Sequence, residues 1–253
     1  MRIAGIKPSK ITRLFLSHWH GDHVFGVAGL ISTLGADKMG RTLPVYGPKG
    51  TKQYLRHLLK SFAAKEVIPL EIHEVSAGVI YENEDYVLEV QPLKHSVPCL
   101  GFSFKEKDRR KIIVEEAEKR GLNGPILRQL QSGKEVIREG EKVDVDSVTI
   151  LKKGKKISYI ADTLPCKGAD VLAKDADLLI SEGTHLDEIK EKTENFKHLT
   201  VKQAALIASE NYAKKLIITH ISQRYKSSTE ILEEAKTYFP NSVVAEDFMR
   251  IKV

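Results

Sequence analysis

The run Ser17-His18-Trp19-His20-Gly21-Asp22-His23 constrains this chain more than any other stretch, because it packs three imidazoles and a carboxylate into six positions. Ahead of it, Ile11-Thr12-Arg13-Leu14-Phe15-Leu16 reads as a buried β-strand; behind it, Val24 to Ile31 reads as the start of a helix. The histidines therefore fall on a strand-to-helix turn. With an extended period of two, His18 and His20 point one way, while Asp22 and His23 swing round with the chain to face a second point. One short segment can then serve two neighbouring cations. Imidazole as the main ligand favours zinc over calcium or magnesium.

If such a turn is one wall of a binuclear site, the other ligands should also follow apolar strands. Three positions do. His95 follows the strand-like 86–93, Asp162 follows Ile157-Ser158-Tyr159-Ile160-Ala161, and His220 follows Leu216-Ile217-Ile218-Thr219. His57 lies within a helical pattern and His73 in a strand, so both read as structural.

Strand-like runs near 11–16, 43–46, 67–74, 86–94, 101–106, 147–151, 156–161, 177–181, 215–219 and 243–251 alternate with helical patterns over 24–35, 50–61, 113–120, 125–131, 167–173, 200–211 and 228–238. Several strands lie close together in the first half, which predicts antiparallel meanders there. The later half alternates strand with helix, so the whole reads as two-sheet α/β layering in one domain. A length of 253 residues with 42% hydrophobic residues supports a single large core. No repeat or low-complexity linker divides it.

Cys99 and Cys166 lie far apart with no C-x-x-C spacing, which excludes a disulfide framework and a zinc knuckle. No apolar run reaches membrane-span length and no secretory signal is seen, so a soluble cytoplasmic protein is expected. The net charge of +6 fits a polyanionic partner or simply a solvated lysine-rich face. Lys105, Lys107, Arg109, Arg110 and Lys111 open a charged excursion over 105–131, in which Pro125 suits a helix start. Lys152, Lys153, Lys155 and Lys156 form a second basic turn.

Taken in order, His18-x-His20-x-Asp22-His23, His95, Asp162 in Ile160-Ala161-Asp162-Thr163, and His220 in Thr219-His220-Ile221-Ser222 resemble the signature of the metallo-β-lactamase superfamily. Within it the chain resembles ribonuclease Z, especially the short archaeal form, across nearly all its length. Pro8-Ser9-Lys10-Ile11, His95 to Phe102, Gly124-Pro125 with Leu130-x-x-Gly133-Lys134, and His198-Leu199-Thr200 before Gln203-Ala204-Ala205 carry this closer likeness. Ser181-Glu182-Gly183-Thr184 stands where that family has His-Glu-Ala-Thr.

The resemblance implies an αββα four-layer sandwich with metals at one edge, and a zinc-dependent endonuclease that removes the 3′ trailer of precursor tRNA. It implies that His18, His20 and His95 hold one zinc and Asp22, His23 and His220 another, with Asp162 bridging. Asp22 could also accept a proton, while His198, oriented by Glu182, would serve the leaving oxygen; His185 is a rival for that last role. The 105–131 excursion would be the arm that grips tRNA, within a homodimer. The family opens with a β-hairpin and a glycine-rich Asp-Cys-Gly-Glu-Gly-Thr turn that this sequence does not contain, so an N-terminally truncated sandwich is expected. Two other readings stay open from the residues: a hydrolase of small phosphodiesters or esters on the same fold, and a non-catalytic RNA- or partner-binding protein.

Overall fold

A computed structural model describes every residue except 2, 37–39, 64–67 and 139. It divides into two compact units: residues 1–81, 88–104 and 156–253 form the first, and 82–87 with 105–155 form the second.

The first unit holds two sheets. β1 (Leu14–Phe15), β2 (Leu43–Gly47) and β3 (Leu70–Glu74) form a parallel three-stranded sheet. The helices between these strands are α1 (Gly21–Ala36) and α2 (Thr51–Lys60). Val24, Val27, Ile31 and Leu34 make one buried stripe on α1, which packs with Val45 and Leu55. The antiparallel meander expected for the first half is thus corrected for these three strands. Helical crossovers of this length return the chain parallel, as short hairpins do not. Part of the expected 67–74 strand, residue 67, lies outside the described residues.

The larger sheet runs in the order β14-β13-β12-β11-β6-β5-β4, with β4 (Gly78–Glu82), β5 (Tyr86–Leu93), β6 (Cys99–Glu106), β11 (Lys156–Ile160), β12 (Leu178–Glu182), β13 (Leu216–Thr219) and β14 (Ser242–Val244). β4, β5 and β6 lie side by side in chain order, so the expected meander is found here. From β11 to β14 every pairing is parallel, and Leu178-Leu179 and Leu216-Ile217-Ile218 are buried without alternation, as strands covered on both faces must be. Helices α6 (Lys167–Ala173), α7 (Lys190–Asn195), α8 (Val201–Glu210) and α9 (Thr229–Tyr238) belong to this half. Ile160, Leu172, Leu199, Ala204, Ile218 and Ile231 share its core. Thr200 starts α8 with a capping box: its hydroxyl accepts from Gln203 N, and Gln203 Oε1 accepts from Thr200 N. Gly168 lets α6 approach β5, since a Cβ there would stand 2.0 Å from the Pro92 carbonyl oxygen.

Between the sheets, the Phe15 ring lies 5.3 Å from that of Phe102, and Leu100 N donates to Ser17 O at 2.9 Å. The layers are therefore helix, sheet, sheet, helix. The strand read over 243–251 is confined to Ser242–Val244, and residues 245–253 are irregular.

The second unit contains β7 (Arg109–Ile112) paired antiparallel with β10 (Thr149–Lys152), a ribbon of β8 (Val136–Arg138) and β9 (Glu141–Val143), and helices α3 (Val114–Lys119), α4 (Pro125–Gln131) and α5 (Val145–Val148). Ala117, Leu122, Leu130, Val136 and Val148 form its own core. Residues 105–131 thus lie within a packed unit that has its own core and strands. Many of its charges pair internally: Lys107 with Glu82, Arg110 with Asp146, and Lys153 with Asp108. Among the described residues no helix is long and apolar enough to cross a membrane.

Candidate metal centre

The chain leaves β1 through Leu16 and Ser17 and enters α1 at Gly21, so His18 and His20 sit on the turn while Asp22 and His23 occupy the first helical turn. The change from extended to helical backbone divides the run into two ligand pairs. His95 follows β5, Asp162 follows β11 and His220 follows β13. All seven converge.

His20 Nδ1 lies 3.1 Å from His18 Nε2 and 3.2 Å from His95 Nε2. His23 Nε2 lies 3.2 Å from His220 Nε2. Asp162 stands between the clusters: its Oδ2 is 3.5 Å from His18 Nε2, 3.4 Å from His23 Nε2 and 3.8 Å from His95 Nε2, and its Oδ1 is 3.5 Å from His220 Nε2. Asp22 Oδ2 is 3.4 Å from His23 Nε2 and 3.7 Å from His220 Nε2. Donor atoms of His18, His20, His95 and Asp162 lie within 4.8 Å of one another, as do those of Asp22, His23 and His220.

These residues fit cations. Asp162 is 2% exposed, and its Oδ1 is buried without a hydrogen bond among the described residues, a costly state for a carboxylate unless a positive charge stands against it. Three ring nitrogens crowd one point around His20, where a single hydrogen cannot satisfy both contacts but a cation among the lone pairs can.

Hydrogen bonds on the far sides of the rings fix which nitrogen is free. His95 Nδ1 donates to Lys197 O at 2.9 Å, leaving Nε2 as a lone pair. Thr184 Oγ1 donates its one hydrogen to Glu182 Oε2 at 2.6 Å, so it must accept from His220 Nδ1 at 3.0 Å. His220 Nε2 is thereby turned inward bare. Both Lys197 (φ 58°) and His220 (φ 56°) hold left-handed backbone conformations, which cost of order 1–3 kcal/mol for such residues and gather at functional sites. Ser17 Oγ and Cys99 Sγ, at 3.2 and 3.6 Å, flank His18 Nδ1, and Ser96 Oγ lies 3.4 Å from His20 Nε2.

Protonation follows the same pattern. Burial pushes His18 down to about 3, with the neighbouring imidazoles adding to it against the pull of Asp162. Burial also lowers His95. Burial alone would raise Asp162, but His23, His220 and His18 outweigh it and hold the carboxyl below its usual range. The hydrogen bond to Asp162 raises His23. Neutral His18 and His95 beside an ionised Asp162 are in the state that ligation requires, whereas His23 must first give up its proton.

Next to this cluster His198 Nδ1 lies 3.2 Å from both oxygens of Glu182. Glu182 is fully buried and also accepts from Thr163 N at 2.6 Å. Burial raises the Glu182 pKa; burial would lower that of His198, but its bond to Glu182 more than offsets this and raises it. An open cavity of about 330 Å³ begins here, with Asp22, Thr184, His185, His198 and His220 in its walls. His57 lies in the last turn of α2 and His73 stacks on Tyr46 at 4.8 Å; neither belongs to a group of donor atoms that could hold a cation among the described residues.

The chain is 37% identical to ribonuclease Z of Protochlamydia amoebophila over 247 residues, covering 97% of this chain and 81% of that protein. It is 36% identical to ribonuclease Z of Methanothermobacter thermautotrophicus over 256 residues, covering all of this chain and 83% of that one. This chain belongs to the ribonuclease Z family. A family model described as a beta-lactamase superfamily domain matches residues 2–114. In fold, this ribonuclease Z family member is similar to human tRNase Z, short form, with a TM-score of 0.67 at 24% identity over 98% of this chain and 81% of that one. It is also similar to the metallo-beta-lactamase fold protein YhfI of Bacillus subtilis, with a TM-score of 0.64 at 17% identity over 97% and 78%. The fold is that of the metallo-β-lactamases.

Thr184 and the Lys197 carbonyl take no part in the site as read from sequence, yet they orient His220 and His95. Thr184 carries a signal, being polar and just past the apolar strand that ends in Glu182. The carbonyl carries none, since every residue has one.

Proposed function

We propose that this chain is a zinc-dependent endoribonuclease that cuts the 3′ trailer from precursor tRNA. The observation that carries the reading is the His198–Glu182 pair set beside the converged His/Asp cluster in a ribonuclease Z family chain. His18, His20 and His95 would hold one zinc, Asp22, His23 and His220 a second, and Asp162 would contact both. Bound zinc supplies water ionised near neutral pH and neutralises charge on the reacting phosphate.

The residues of this chain do the rest. Asp22, on the cavity wall, takes a proton from the attacking water. His198 gives its proton to the departing O3′ as the P–O3′ bond breaks, so the tRNA keeps a 3′-hydroxyl and the trailer a 5′-phosphate. Glu182 holds His198 with Nδ1 protonated and favours the imidazolium, the form that can donate. Thr184 and the Lys197 carbonyl keep His220 and His95 turned toward the centre. Exposed Lys111, Arg128 and Lys134 of the second unit contact tRNA phosphates, which carry most of the affinity for such a partner. A homodimer, in which one subunit grips the tRNA that the other cuts, and a cytoplasmic location complete the proposal.

The test is incubation of folded, zinc- or manganese-loaded protein with a precursor tRNA bearing a 3′ extension. Release of a 5′-phosphorylated trailer is expected. No release in either metal overturns the reading.

A further inference from the structure

Phe196 is 61% exposed, an unusual placement for a large apolar ring, and it lines the cavity beside the metal centre. It caps the end of α7, two residues before His198, and the left-handed turn at Lys197 between them lets both side chains line the same space. His185, Ser222 and Gln223 line it too. His185 Nδ1 is buried with no hydrogen-bond partner among the described residues. The volume of about 330 Å³ lies at the low end of the range for small-molecule sites, about 300–1,000 Å³, and suits one unstacked nucleotide rather than a duplex.

An exposed aromatic face with imidazole, amide and hydroxyl groups around it is how proteins hold a splayed RNA base: the ring stacks and the polar groups meet the base edge. Which base follows from the chemistry proposed above, on which this inference rests. If His198 protonates O3′, the ribose at its side belongs to the nucleotide immediately 5′ of the cut. That nucleotide's base hangs from the same sugar.

We propose that the cavity is a nucleobase subsite in which Phe196 stacks on the base of the nucleotide 5′ to the scissile phosphate, with His185, Ser222 and Gln223 meeting its edge. The ring positions substrate; it takes no part in bond making.

The experiment compares the parent enzyme, Phe196→Ala and Phe196→Trp on precursor tRNA carrying either the natural nucleotide or an abasic one at that position. On natural substrate, Phe196→Ala should lose about 5- to 150-fold in kcat/KM, mostly through KM, the range expected for one base–aromatic stack. Phe196→Trp should stay within about threefold, since it keeps a stacking face. On abasic substrate the Ala variant and the parent should differ by less than about twofold, which is the coupling a double-mutant cycle reads. Zinc content by elemental analysis, unchanged in Phe196→Ala, reports that the centre is intact in the variant, and hydrolysis by the parent of bis(p-nitrophenyl) phosphate, whose rings could themselves stack on Phe196, reports the same for the parent alone. Equal losses on natural and abasic substrates, or no loss on either, overturn the subsite while leaving the nuclease reading in place. A parent enzyme that hydrolyses the small diester but releases no trailer overturns the nuclease reading and the subsite with it.

Discussion

Replacing Thr184 by Val removes one hydroxyl and almost no volume, so it isolates the orientation of His220. In the parent that hydroxyl donates to Glu182 at 2.6 Å and accepts from His220 at 3.0 Å, and the residue is buried. Valine leaves His220 Nδ1–H without its acceptor, at about 1–3 kcal/mol for a buried unpaired donor, and takes from Glu182 one charge-assisted bond worth about 1.5–3 kcal/mol. Glu182 keeps Thr163 N and His198, so the net loss should be about 2–3 kcal/mol rather than the sum. In a chain of this length that lowers Tm of the metal-free protein by roughly 5–10 °C. Unanchored, His220 also populates the tautomer that has a hydrogen on Nε2, where the cation must bind, and losing such a partner typically weakens metal affinity about 10–100-fold. Competition against a chromophoric zinc chelator, resolved into two binding events, should show one site weakened by that factor and the other little changed. Thr184→Ser keeps the hydroxyl and should bind zinc as the parent does. A Val variant whose two zinc affinities and Tm match those of the parent would refute the claim that this hydroxyl sets His220.

Gly168→Ala tests packing against propensity: alanine inside a helix normally gains about 1 kcal/mol, yet its Cβ would stand 2.0 Å from the Pro92 carbonyl oxygen. Overpacking against backbone costs about 1–3 kcal/mol, so the urea midpoint should fall, and a midpoint equal to or above the parent's contradicts the contact. His198→Ala should lower kcat by about 10²–10⁴-fold, the usual share of a general acid, with zinc content unchanged; loss of zinc instead would make His198 a ligand. Because Glu182 raises the His198 pKa, the rate should persist above the ordinary imidazole range and fall as pH rises through the raised value. Glu182→Gln should move that basic limb to lower pH, and an unmoved limb would count against the pairing. His23 holds its proton more tightly than usual because of Asp162, and zinc must displace that proton. Zinc affinity should therefore weaken as pH falls, by about tenfold per unit for each proton released; a flat titration between pH 8 and 6, read by isothermal calorimetry, would contradict it.

Much of the site was legible because its chemistry is tied to strand ends. His18 to His23, His95, Asp162 and His220 each follow an apolar run, and strand ends are where a sandwich of this kind brings side chains together. The helical pattern over 200–211 matches α8, which runs Val201–Glu210 with Thr200 as its cap. Strand direction was harder to read. Leu43 to Gly47 shows its burial in its sequence but not which strand lies beside it, so the close spacing of strands points to a meander where the sheet is parallel. The charged strands Arg109–Ile112 and Glu141–Val143 look like solvated loop by composition, because the partner ribbon, and not apolar periodicity, orders them. Val243 to Ile251 has apolar residues at strand-like intervals, but pairing with β13 ends at Val244. The Lys197 carbonyl was beyond reach for another reason: its role depends on a left-handed backbone angle at a residue type that does not advertise one.

Anomalous diffraction at the zinc absorption edge from crystals of the zinc-loaded protein tests the paired centre most directly. Two peaks are predicted, one among His18, His20 and His95 and the other among Asp22, His23 and His220, each within bonding distance of Asp162. A zinc-loaded crystal with no peak there, or with its zinc bound elsewhere on the chain, would contradict the account.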